Sequence, residues 1–219
     1  MILAGLVILS YYLNDKFSKK NALNGSILKC KPGSVGQCFG GSILGFLLIA
    51  GMWAILYLIY PFDIIRNPVS KIVPVMDIVS YSLGNTLEEL LFRGFLLLAS
   101  VRLFGKTGAV LFVSILFGLF HLPGFGLTKE GLSMAVTTFT MSLLFISVIY
   151  YTGSIWPAVT LHITLNLILH TLGFDGAGQG IFRIELAASD VNGLFFTLIY
   201  EIVIITLAIW IFSRGRKEI

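Results

Sequence analysis

Apolar residues in this chain fall into long unbroken runs instead of the narrow stripes that surface helices carry. The runs cover roughly 1–13, 38–61, 72–83 continuing to 103, 107–122, 132–151, 154–173 and 193–213. About 20 apolar residues at a 1.5 Å rise cross the ~30 Å of hydrocarbon in a bilayer, and most of the runs have that length. The pattern predicts an all-α, polytopic transmembrane bundle of about six to eight helices, folded as one domain over 1–219. The first run reaches only about 20 Å. It is expected to be a tilted or half-inserted helix that is retained, because positive charges follow its apolar core and no small-residue cleavage site is evident.

Composition agrees with that setting. Hydrophobic residues make up 57% of the chain and charged ones 12%, with a mean hydropathy of +0.93. A soluble domain carries roughly 25% charged residues. The few charges set an orientation. Lys16, Lys19, Lys20, Lys29 and Lys31 lie between the first two runs, Arg102 and Lys106 in a later turn, and Arg214, Arg216 and Lys217 at the C-terminus. By the positive-inside rule these segments face the cytoplasm, and the loop with Asp175, Glu185 and Asp190 beside Arg183 faces outward. Topology and attraction to anionic lipid thus account for the net charge of +4 without a nucleic-acid partner. Neither a basic patch interleaved with aromatics nor a phosphate-cradling glycine loop is present. Cys30 and Cys38 lie in or beside a cytoplasmic loop, where thiols stay reduced, and one pair cannot fill a four-ligand zinc site. Compact cytoplasmic loops and the absence of organelle signals favour a bacterial plasma membrane.

Three polar islands interrupt the apolar runs. Glu88, Glu89 and Arg93 form the first, Phe117 and His121 the second, and His162 and Asn166 the third. Even the lower estimates put an ionised side chain at mid-bilayer at roughly 2.5–3.5 kcal/mol, so such residues point to function. On a helix Glu89 can pair with Arg93 four residues later, which leaves Glu88 as the carboxylate without an obvious partner. Glu88 is the expected acid or base, its pKa raised by an apolar cavity. A structural alternative exists, because Thr86 to Glu89 matches a capping box and Gly84 with Asn85 could break the helix. His121 shares a face with Phe117, and His162 with Asn166. His170 lies a turn further on, too near the helix end to be catalytic.

One glutamate, two histidines and an asparagine on three helices form a peptidase inventory. A Glu-His pair can orient and deprotonate water, and a second His with an Asn can stabilise the oxyanion formed at an amide carbonyl. Zinc held by Glu88, His121 and His162 is the competing chemistry. The chain has no His-Glu-x-x-His helix, and the metal-free mechanism is favoured.

The segments Glu88-Glu89-Leu90-Leu91-Phe92-Arg93-Gly94, Phe117-Gly118-Leu119-Phe120-His121 and Trp156-Pro157-Ala158-Val159-Thr160-Leu161-His162-Ile163-Thr164-Leu165-Asn166 resemble the three motifs of the CPBP family. That family holds CaaX prenyl endopeptidases and bacteriocin-processing or abortive-infection membrane proteases. The similarity spans roughly 80–172. It implies an intramembrane endopeptidase whose cavity opens to the cytoplasmic leaflet, acting on membrane-associated or lipidated protein or peptide substrates. Carried over by motif, Glu88 and His121 activate water, His162 and Asn166 form the oxyanion site, and Glu89 and Arg93 support the helix.

Two other classes fit the same residues. A non-catalytic scaffold or bacteriocin-immunity protein would keep the fold, and a transporter would also place carboxylates and histidines at the midplane. Helix rise poses one further requirement. Glu88 and His121 stand about 21 Å from the Arg102/Lys106 turn but His162 only about 10 Å from its own, so the third motif's helix has to start higher.

Overall fold

The computed structural model describes residues 25–28, 32–68, 74–122, 126–172, 180–186 and 193–215. The expected first helix, its five following lysines, Cys30, Asp175, Asp190, Arg216 and Lys217 lie outside the described residues. Helix α1 runs Ser34–Ile59 and strand β1 Phe62–Arg66. Helix α2, Pro74–Glu89, passes into a π-helical turn at Leu90–Leu96 and then into α3, Leu97–Phe120. Helices α4 (Lys129–Thr152) and α5 (Trp156–Thr171), strand β2 (Phe182–Leu186) and helix α6 (Gly193–Arg214) follow. Four described helical segments are long and apolar enough to cross a membrane: Ser34–Ile59, Val75–Phe120, Lys129–Thr152 and Thr197–Arg214. The chain is an all-α type of membrane protein, although four such segments do not establish six to eight spans.

Helix ends follow local chemistry. Thr128 caps α4 by accepting the Gly131 N–H at 3.1 Å, and Gly153 ends that helix with φ 68°. Pro157 lies in the first turn of α5, where its missing N–H costs nothing. Within Val75–Phe120 the helix breaks at Gly105, whose φ of 68° and ψ of 180° belong to a region that only glycine enters easily. The break is a reversal. Phe92 meets Phe117 edge-on at 4.9 Å, yet about 20 Å of helix separates each from Gly105. Such a meeting requires a hairpin.

Small residues set how closely the helices approach. A Cβ at Gly41 of α1 would overlap the Pro157 carbonyl oxygen of α5, and one at Gly45 would come within 3.1 Å of Thr164. This Gly-x-x-x-Gly spacing lets the α1 and α5 backbones touch, and the Thr160 hydroxyl then donates to Cys38 O at 2.8 Å. On the other side, a Cβ at Gly118 would come within 2.7 Å of Ala135 O, which holds α3 against α4.

The all-helical expectation misses one element. β1 and β2 pair antiparallel, with Phe62 opposite Leu186 and Ile64 opposite Ile184. Asn67 extends the pairing through its N–H to Ile181 O at 2.9 Å and its amide to Gly180 O at 3.0 Å. Both strands connect helices, where pairing satisfies backbone groups that no helix can.

Candidate active site

The first motif sits where helix geometry changes. α2 enters the π turn directly after Glu89, and the Leu97 N–H bonds to Phe92 O, a step of five residues instead of four. Single π turns of this kind recur at functional sites. No capping box forms, because α2 is continuous through Asn85 and the Thr86 hydroxyl donates back to Ser82 O at 2.6 Å. The Glu89 carboxylate caps nothing.

Glu89 and Arg93 are both fully buried, and Arg93 Nη1 donates to Glu89 Oε1 at 2.9 Å. The guanidinium also lies over the rings of Phe117 at 4.1 Å and Phe145 at 5.1 Å. Ring faces are attractive surroundings for a desolvated cation. The same Glu89 oxygen is 3.0 Å from His162 Nδ1. An ionised carboxylate only accepts, so Nδ1 carries a hydrogen and Nε2 faces away from Glu89. Phe145 stacks on the His162 ring at 4.8 Å and 28°, fixing its plane.

His121 is held in the same sense. Its Nδ1 is 2.8 Å from Phe117 O, and a carbonyl can only accept, so this nitrogen also donates. Phe117 lies 4.7 Å from the imidazole. Both Nε2 atoms converge on Glu88 Oε2, each at 4.0 Å. That separation is too long for a direct hydrogen bond and suits a water about 2.8 Å from both partners. Glu88 and His121 are partly exposed, whereas His162 is buried. The structure therefore brings Glu88, His121 and His162 together around one point, with Glu89, Arg93 and Phe117 behind them.

Asn166 is engaged elsewhere. Its Nδ2 donates to Asn85 Oδ1 at 3.0 Å, one turn along α5 from His162. His170, a turn further, is 3.7 Å from Asp77 and packs on Tyr81 at 4.9 Å, away from Glu88. The parts played by Asn85, Phe145 and Glu201 do not follow from the sequence pattern. Asn85 and Phe145 carry no charge to betray them. Glu201 had a signal, a carboxylate inside an apolar run; it is buried on α6 and bonded to the hydroxyls of Thr137, at 2.6 Å, and Thr140.

The height requirement is met at the start of α5. Gly94 lies beside Ile155, so α5 begins level with a residue eleven positions before Gly105, well above the reversal. From that level Glu88 and His162 are each about 10 Å along their helices.

Among the described residues no group of three or more His, Cys, Asp or Glu side chains is disposed to hold a metal. Zinc ligand atoms lie about 3.3 Å apart in a tetrahedral site, against the 4.0 Å found here on both Glu88-imidazole edges. As arranged, the three side chains do not fit a zinc ion.

Residues 71–168 fit the family model described as type II CAAX prenyl endopeptidase, Rce1-like, which covers all three motifs through Asn166. No curated protein and no solved structure matches the chain.

Proposed function

Residues 71–168 make this chain a relative of the Rce1-like type II CAAX prenyl endopeptidases, a membrane protease family, and on that premise we propose a specific reaction for it. The chain is an intramembrane endopeptidase that hydrolyses peptide bonds of membrane-associated or lipidated proteins with water activated by Glu88 and His121. The observation that carries this reading is the equidistance of Glu88 Oε2 from two imidazole Nε2 atoms, 4.0 Å each.

Water bound there donates one hydrogen to Glu88 and the other to His121 Nε2. As its oxygen attacks the carbonyl carbon, Glu88 takes the proton and the carbonyl π pair moves onto oxygen. The oxyanion is met by donors from α5. With Nδ1 committed to Glu89, His162 can donate to the oxyanion only from Nε2, which requires a hydrogen on both ring nitrogens; Asn166 offers its second Nδ2 hydrogen. Collapse of the tetrahedral species re-forms the carbonyl and breaks the C–N bond. Glu88 returns its proton to the leaving amine. No metal takes part in this scheme. The positive turns at Arg102/Lys106 and Arg214 then face the cytoplasm of a bacterial plasma membrane, with the C-terminus on that side.

The test is purified protein in detergent against a library of lipidated and unlipidated peptides, wild type beside Glu88→Gln, with and without a zinc chelator. Cleavage that survives chelation and vanishes in Glu88→Gln is expected. Reversible loss on chelation, restored by one equivalent of zinc, would replace Glu88 as base with a metal-bound water. Cleavage equal in both proteins would remove Glu88 from the reaction.

A further inference from the structure

Asn85 stands on α2, three residues before Glu88, and is buried. Its carboxamide bridges two positions of α5. Nδ2 lies 3.4 Å from the backbone oxygen of His162, and Oδ1 accepts the Asn166 Nδ2 hydrogen at 3.0 Å. A carbonyl cannot donate, so the first contact fixes which end of the Asn85 amide is nitrogen. Its oxygen is therefore directed at Asn166. Asn166 must answer with nitrogen, and this fixes its amide orientation too. One of the two Asn166 hydrogens is consumed, and the other is free to leave the α2–α5 seam.

We propose that Asn85 is a positioning residue for peptide hydrolysis, setting the side-chain orientation that lets Asn166 donate to the oxyanion. This rests on the peptidase reading above. Without Asn85 the Asn166 amide loses the acceptor that distinguishes its two ends, and a turned amide would present oxygen to an oxyanion. The bridge also ties the α2 backbone three residues from the base to the α5 backbone at His162 itself. Base and oxyanion donors are thereby held at one mutual distance.

A double-mutant cycle tests the inference. Asn85→Ala is expected to lower kcat ten- to a hundredfold with KM within twofold, and to change kcat less than twofold when Asn166 is already Ala. Asn85→Asp keeps the acceptor for Asn166 and is expected to retain more activity than Asn85→Ala. A second readout does not need turnover. In protein labelled with ¹⁵N-asparagine, one Asn166 side-chain hydrogen should exchange slowly with solvent, and Asn85→Ala should remove that protection. Additive losses in the cycle, an effect confined to KM, or unchanged exchange would each overturn the assignment. If Glu88→Gln retains full cleavage, it is the peptidase reading that fails; if Glu88→Gln abolishes cleavage and the cycle is additive, the Asn85 inference alone fails.

Discussion

The imidazoles of His121 and His162 differ in what lies behind them, and that difference divides their work. A neutral carbonyl accepts from His121 Nδ1 and a carboxylate from His162 Nδ1, so only His162 has a charged acceptor behind its ring. Replacing Glu89 with Gln is therefore expected to lower kcat of the folded enzyme by roughly 10²-fold, the scale of one oxyanion donor, and also to lower folded protein, because the buried Arg93 cation loses its counter-charge. Glu88→Gln and His162→Ala should each reduce cleavage to background at normal membrane levels, and the double variant should be no worse than either single one. Arg93→Ala breaks the same pair from the other side. It strands the Glu89 charge in an apolar interior, a loss of about 3–5 kcal/mol, and should deplete folded protein in the membrane fraction. Joint replacement of Glu89 and Arg93 by apolar residues should recover folded protein without activity. Normal levels of Arg93→Ala would mean that water reaches the pair.

At the scale of elements, the helices meet through short polar or small-residue contacts spaced along otherwise uniform apolar faces. Glu201 fastens α6 to α4 through Thr137 and Thr140, and the Thr140 hydroxyl also faces Thr137 O at 2.9 Å. One hydroxyl hydrogen cannot serve both contacts. The carboxamide of Gln has nearly the same shape and offers both an acceptor and a donor to the two hydroxyls. Glu201→Gln should accordingly melt within a degree or two of wild type, whereas Glu201→Ala should lose about 1–3 kcal/mol by taking the acceptor from the half-buried Thr137 hydroxyl. Equal melting of both variants would show that the fastening contributes nothing. Gly41→Leu should be worse than either, since the Pro157 backbone has no room to move away.

For the whole molecule, the runs of apolar residues were enough to locate each described helix to within a few residues. Those positions depend on length and hydropathy, which are local properties. Glu88, His121 and His162 were legible as a set because charge and imidazole are conspicuous in an apolar background. The π turn, the strand pair and Asn85 were not, because each depends on a contact between distant segments that leaves no periodicity behind. Asn166 was recognised as a residue but not as a partner of Asn85.

The reversal at Gly105 has a consequence for sidedness. By hydropathy Val75–Phe120 is a single 46-residue segment, and read as one pass it delivers α4, α5 and α6 to the membrane with the opposite polarity. One glycine thus fixes the parity of everything that follows it, including which compartment receives the α4–α5 turn ahead of His162. Gly105→Ala places a Cβ in a backbone region that costs about 1–3 kcal/mol, and Gly105→Leu adds helix propensity in favour of running straight on. Single cysteines introduced at Lys106 and Gly215 should label from the same side of the membrane in the parent chain, and one at Asp63 from the other. In Gly105→Leu a fraction of molecules should place Gly215 on the side of Asp63. Unchanged labelling in that variant would assign the parity to the charges of Arg102 and Lys106 instead of to the glycine.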